Sequence, residues 1–468
     1  MRRKVFLSFL GTNNYLNCNY FEEGRPENKV SDVKYVQEAL IKMFCQDFHE
    51  NDVVLLFLTE KAEHMNFWDN GQYNRATGKY DGENEGLHAR LQRLNEVGQR
   101  FDLKHRRIKE GFSQQEIWSI FDSVADEFQE GDEVIFDITH AFRFLPMLGV
   151  VLMNYLKTTK NVKVKGIHYG AFEKLGVQAE VNKLDIKDRN APVLNLNTLL
   201  EFQSWTSAVN SFFKFGEVGG LNELSQPQLK AVLSESKGKD ESASSLRFLI
   251  KEMSELTDML QTNRLNQLFE KNFDFFVQKL HKFPEDTISI KPFKQILRLI
   301  EKKVDPIISS KELIWLESAK WCLEHNLIQQ AYTQLLEGLI TYFIKRLNVE
   351  LEKNPEMKKY FGIFENEKIS EIDETQRTFC SGILYKTYEK NQNKIIGKPS
   401  YDILAIIEFL LQNSFADVAN IFGQLNKPRN DINHAGMRNN TMQAESLKKK
   451  IADLIDQTSD LIYRKIEL

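Results

Sequence analysis

Apolar positions along this chain follow one pattern over residues 1–190 and another beyond. In the first stretch, short apolar runs alternate with segments of helical period. Val5 to Leu10 is an apolar run ending at Gly11. Val53 to Leu58 is apolar on both faces, which suits a central parallel strand. Val33, Val36, Leu40 and Phe44 recur at the helical period, with Ser31 as the expected cap. Leu87, Leu91, Leu94 and Val97 repeat that spacing. Ser113 precedes a third amphipathic run through Ile117, Ile120, Phe121 and Val124, and Glu116 completes a capping box. Residues 133–138 and 162–172 read as strands, with a helix over about 142–157 between them. Residues 64–86, rich in Asn, Gly and Asp, read as a long loop. Strand and helix in alternation predict a Rossmann-like, doubly wound parallel sheet.

Beyond residue 195 glycine thins out and long amphipathic stretches follow. Helices are expected over about 246–260, 263–280, 293–304, 331–347, 401–411 and 441–462, punctuated by Pro284, Pro292 and Pro306. Residues 234–245 are polar and read as a flexible connector. The fold class is therefore α/β followed by all-α. A length of 468 residues fits three units. Their expected bounds are 1–190, 191–310 as a helical connector or insertion, and 311–468.

Composition narrows the class. Hydrophobic residues are 42% and charged residues 27%, as in a globular domain. The net charge is −4, from 62 basic and 66 acidic residues, so a bulk binder of duplex DNA is disfavoured. The four cysteines, Cys18, Cys45, Cys322 and Cys380, show no metal-ligand or redox spacing and read as reduced thiols of a cytoplasmic protein. The apolar run after Met1 is too short for a signal peptide, and no stretch approaches the ~20 apolar residues of a membrane span. No carboxylate or histidine cluster suggests a metal, and no cofactor is expected.

Two polar loops stand at expected strand ends, where doubly wound sheets bind ligands. One carries Gly11, Thr12, Asn13 and Asn14; the other carries Thr139, His140, Ala141 and Arg143. Backbone N–H groups at a loop–helix junction favour phosphate, and Arg143 can add bidentate contact. The same residues also suit ordinary turns and helix caps. The helical half holds a second candidate. Arg429, Asn430 and His434 lie together, with Pro428 suggesting a helix start and Asp431 suiting its positive end. On such a helix Arg429 and His434 would be about 140° apart, so one copy makes an incomplete cleft. Chance alone gives about 0.4 Arg–His pairs of this spacing in such a chain. A second pair, Arg100 and His105, reads as accidental.

Asp137-x-Thr139-His140-x-x-Arg143 resembles the Asp-x-Thr-His-Gly motif of CRISPR-associated CARF proteins, with Ala141 where Gly is usual. Ser8 to Tyr15 is similar to their first ligand loop, and His168 to Glu173 to the strand that follows. Arg429 to Gly436 resembles the Arg-x(4–6)-His motif of HEPN ribonucleases. The resemblance implies a type III CRISPR effector. A CARF dimer would sense a cyclic oligoadenylate, the tetra-adenylate or equally a hexa-adenylate. Paired HEPN domains would cut single-stranded RNA by 2′-hydroxyl attack, with His434 as acid or base, Arg429 stabilising charge and Asn430 orienting. It also leaves room for slow cleavage of the ligand by the loops at Thr139 and His140. Two rivals remain on the sequence. One is a non-catalytic nucleotide-sensing regulator whose helical half binds DNA or protein. The other, a dinucleotide-dependent enzyme, lacks the Gly-x-Gly-x-x-Gly after its first strand.

Overall fold

The computed structural model describes residues 2–74, 79–98, 100–139, 144–282, 293–361, 374–393, 400–437 and 441–466. The chain forms two compact units, Met1–Gln203 and Ser204–Leu468.

The described residues of unit 1 form ten strands: β1 Lys4–Leu10, β2 Cys18–Glu22, β3 Arg25–Val33, β4 Val53–Thr59, β5 Asn70–Asn74, β6 Lys79–Asn84, β7 Asp102–Ile108, β8 Glu133–Asp137, β9 Lys163–Gly170 and β10 Asn190–Asn195. Eight of them form one sheet in the order β3-β2-β10-β9-β8-β1-β4-β7; β5 and β6 pair separately. The neighbours from β9 to β7 are all parallel. From β1 the chain proceeds outward to β4 and β7, then returns to β8 on the other side of β1. The switch point of the sheet therefore lies between β1 and β8.

Both faces of the sheet are buried, for the reason visible in β1 and β4. Phe6, Leu10, Val54, Leu56 and Leu58 join one core with Val36, Leu40, Leu87 and Leu91. Val5, Leu7, Phe9, Val53, Leu55 and Phe57 join another with Ile120, Phe121, Leu152 and Leu156. Alternate residues of a strand point to opposite faces, so a run apolar at every position needs helices on both. The helices Val36–Phe44 and Leu87–Glu96 cover one face, Gln114–Asp126 and Leu145–Lys160 the other.

Some local expectations change. The first helix starts at Val36, not after Ser31, because Ser31 and Val33 are drawn into β3. Residues 64–86 hold a single π turn, Glu63–Phe67, and the β5–β6 pair rather than a plain loop. Ser113 does cap its helix through the Glu116 N–H at 3.2 Å. The Glu116 carboxylate, however, accepts from Gly111 and Phe112 N–H groups instead of closing a box on Ser113.

Unit 2 is helical in its described residues, and one core runs from Trp205 to Ile462. At its middle is the 26-residue helix Ile328–Lys353, whose Leu335, Leu339, Phe343 and Leu347 are fully buried. Residues 204–310 contribute to that same core through Phe212, Leu249, Leu256, Phe276 and Val304. The expected connector at 234–245 is a short turn between the helices Gly219–Glu235 and Glu241–Gln261, capped by Asp240 on the Ala243 N–H. Its polarity reflects exposure rather than disorder. All four cysteines are buried and unpaired. No helix of the described residues is long and apolar enough to cross a membrane.

Candidate functional site

At the switch point the ends of β1 and β8 are tied through a buried carboxylate. Asp137 and Ser8 are register partners, and neither is exposed. The Ser8 hydroxyl donates to Asp137 Oδ2 at 2.7 Å, and the Thr139 N–H donates to Oδ1 at 2.9 Å. Gln37, on the helix covering this face, donates Nε2 to Ser8 Oγ at 3.1 Å and to the Phe9 carbonyl at 3.2 Å. Burial pushes the Asp137 carboxyl above its usual range, and the hydrogen bonds from Thr139 and Ser8 oppose that shift. Thr139 Oγ1 accepts from the Gly170 N–H at 2.8 Å. The β8 loop is thereby fastened to the end of β9. A Cβ at Gly170 would run into Val36, which explains glycine there.

The β1 loop has its own clamps. Asn66, buried in the π turn after β4, donates Nδ2 to the carbonyls of Gly11 at 2.9 Å and Asn13 at 3.0 Å. The Gly11 N–H donates to the Tyr15 hydroxyl at 3.1 Å, and the Tyr15 ring packs on Tyr35 at 5.0 Å. Gln178 donates to the Asn14 carbonyl. These bonds spend backbone carbonyls and leave the side chains of Asn13 and Asn14 exposed. Gly11, Thr12, Asn13, Asn14 and Thr139 thus lie on the loops that follow two adjacent parallel strands. His140, Ala141 and Arg143 lie outside the described residues. Gln37 and Asn66 were not singled out from the sequence. Their only signal there is a polar residue inside an otherwise buried stretch.

The helical candidate is arranged differently from the expectation. Arg429 does not open a helix: the helix Ala416–Asn433 runs through Pro428 and ends on the motif. Val418, Ile421, Phe422 and Leu425 are buried along it, and that burial outweighs the local cost of an interior proline, ~3 kcal/mol. Gly423 lets Tyr388 pack against the helix backbone, since a Cβ would collide with its ring. His434 is the C-cap residue, and its N–H donates to the carbonyls of Asn430 at 3.1 Å and Asp431 at 3.2 Å. Ala435 (φ 54°) and Gly436 (φ 68°) then turn left-handed, and the Gly436 N–H returns to the Asp431 carbonyl at 3.0 Å. Asp431 therefore sits at the negative end, and its carboxylate accepts from the Met442 N–H at 3.0 Å.

Within this corner Arg429 Nη1 donates to Asn430 Oδ1 at 3.4 Å, and Asn430 Nδ2 donates to Asn426 Oδ1 at 3.2 Å. Arg429 Nε is buried with no hydrogen-bond partner among the described residues, whereas His434 is exposed. The accidental pair separates. Arg100 pairs with Glu50 at 2.7 Å, and His105 lies within β7, its ring 4.7 Å from Phe67. Among the described residues no group of three or more His, Cys, Asp or Glu is placed to hold a metal.

Residues 5–173 match the family described as CRISPR system endoribonuclease Csx1, CARF domain. The match covers the parallel strands and both loops. Over 333 residues the chain is 26% identical to CRISPR-associated protein MJ1674 of Methanocaldococcus jannaschii. That alignment takes in 69% of this chain and 46% of the relative, so the chain spans about half the relative's length. Residues 5–173 are thus similar to a CARF domain, the sheet order fits a Rossmann-like unit at the N-terminal end, and the second unit is helical in its described residues.

Proposed function

We propose that this protein is a type III CRISPR effector that senses a cyclic oligoadenylate and, when activated, cuts single-stranded RNA without a metal ion. The reading of the sensor is carried by one observation: the CARF match over residues 5–173 coincides with two clamped polar loops at the switch point. Ligand phosphates and sugars would meet Gly11, Thr12, Asn13, Asn14 and Thr139, together with His140, Ala141 and Arg143. A ring of even size suits a two-fold pair of these loops. The reading of the second unit as a HEPN ribonuclease rests on Arg429, Asn430 and His434 being gathered at one helix end. The similarity to the CARF domain of the Csx1 endoribonuclease family supports it.

The chemistry would use the RNA's own 2′-hydroxyl. An imidazole takes its proton, and the 2′-oxygen bonds to the adjacent phosphorus while a guanidinium holds the developing charge. The P–O5′ bond breaks, leaving a 2′,3′-cyclic phosphate on one product and a 5′-oxygen on the other that takes up a proton as a hydroxyl. The exposed His434 and the partly buried Arg429 of one copy would be completed by a second copy. The test is RNA cleavage by the full chain with cyclic tetra- and hexa-adenylate, in the presence of EDTA. Activity with 2′,3′-cyclic phosphate ends is expected, lost by at least ~100-fold in His434→Ala with unchanged activator binding. Products bearing 3′-hydroxyl ends, or full cleavage by the variant, would refute the mechanism.

A further inference from the structure

The helical unit contains a cavity of about 790 Å³ that the proposed sensor and nuclease leave unused. Small-molecule pockets are roughly 300–1,000 Å³. Two kinds of chemistry line it. Phe269 and Tyr342, each partly buried, provide aromatic walls. Opposed to them in character are Lys345 and Arg346, successive residues of the helix Ile328–Lys353.

Arg346 is held as a fixed cation. Its guanidinium lies 5.2 Å over the Phe415 ring, and its Nη1 is buried without a hydrogen-bond partner among the described residues. Buried donors of this kind are normally satisfied. The side chain as a whole is half-buried and lines the cavity, so its charge is available to an acceptor there. Lys345 is exposed and, like Arg346, makes no ion pair within the described residues. Glu312 also lines the cavity, so the lining carries two positive charges against one negative. The surplus favours an anion, and the carboxylate suits a hydroxyl or amino donor on the same ligand. A flat ring with a phosphate and hydroxyls meets all three demands: aromatic faces accept bases, a guanidinium binds phosphate, and a carboxylate takes a ribose hydroxyl.

We infer that this cavity binds a nucleoside phosphate, with its phosphate on Lys345 and Arg346 and its base against Phe269 and Tyr342. The site is separate from the Arg429 corner. Ser414, which lines the cavity, precedes the 18-residue helix that ends at Asn433, and such a helix is about 27 Å long. The nucleotide is either free or carried on an RNA chain, since both present the same groups.

Calorimetric titration of the full chain with AMP, adenosine, inorganic phosphate and a 5′-phosphorylated linear tetra-adenylate tests the assignment. AMP, the RNA or both are expected to bind at least ~10-fold more tightly than adenosine or phosphate. Lys345→Glu, at an exposed position, is expected to weaken that binding at least ~10-fold, and Arg346→Gln to do the same with an unchanged circular dichroism spectrum. Should Arg346→Gln fail to fold, Lys345→Glu decides alone. Binding is expected to persist in Thr139→Ala, which alters the other unit. AMP without RNA binding identifies a free nucleotide, and RNA without AMP binding identifies a nucleotide in a chain. Equal binding by Lys345→Glu and the natural protein, phosphate as tight as AMP, binding lost only in Thr139→Ala, or no binding at all would each overturn the inference.

Discussion

His168 shows how one side chain ties the stability of the parallel sheet to pH. It is 5% exposed on β9 and stacks on Phe44 with ring centres 3.9 Å apart. Gly166 is needed beside it, because a Cβ there would collide with the imidazole. Burial pushes its pKa down to about 4, with Glu22 opposing. In an unfolded chain the imidazole titrates near ~6.5. The folded value is the lower one, so the unfolded chain takes up the proton first as pH falls. Stability from the neutral ring is complete above pH ~6.5, is lost progressively down to about pH 4, and changes no further below. The loss is at most about 3 kcal/mol. Denaturant unfolding of His168→Phe at pH 7 and pH 4.5 should show the acid loss reduced by about 2 kcal/mol relative to the natural protein. An undiminished loss would assign acid sensitivity to other groups.

Among the elements, the helix Ala416–Asn433 decides whether the Arg429 corner can exist. Its apolar face fixes it in the core, and its end fixes where His434 emerges. That end depends on two successive left-handed residues, Ala435 and Gly436. Any side chain at Gly436 must adopt φ near 68°, although the nearest neighbour of a Cβ would be Thr441 Cγ2 at a comfortable 3.7 Å. Gly436→Ala should therefore cost about 1 kcal/mol through backbone strain alone. Thermal denaturation measures that cost. RNA cleavage should fall by more than the small loss of folded protein explains, because the cap that aims His434 is disturbed. Cleavage at the natural rate would mean that the corner does not position a reacting group.

For the whole molecule, the proposed function makes activation a linkage between two units with separate cores. A ligand shifts an equilibrium only by its differential affinity for the two states. Thr139 fastens the β8 loop to Gly170, and removing its hydroxyl leaves the Gly170 N–H unsatisfied. Thr139→Ala should raise the half-maximal activator concentration about tenfold while leaving the cleavage rate at saturating activator near its natural value. Thr139→Ser, which keeps the acceptor, should restore sensitivity. His434→Ala should do the opposite, removing rate without moving the activator midpoint. If both variants changed the same parameter, sensing and cutting would not be divided between the units as proposed.

The sequence alone determined the class of each half. Runs such as Val53 to Leu58 admit no exposed face, and the helical period after residue 195 admits no sheet. Both follow from local geometry and the need to bury apolar surface. It also marked Asp137 and Thr139, because polar residues at the end of an apolar strand stand out. Tertiary structure alone decided what those residues touch. Gln37 reaches Ser8 across 29 positions and Asn66 reaches Gly11 across 55, and no period encodes such a meeting. The same holds for Pro428, which signals a helix start locally but lies inside a helix because the core holds Phe422 and Leu425 before it and Ile432 after it. Local signals are worth at most a few kcal/mol, and a buried face of several large side chains outweighs them.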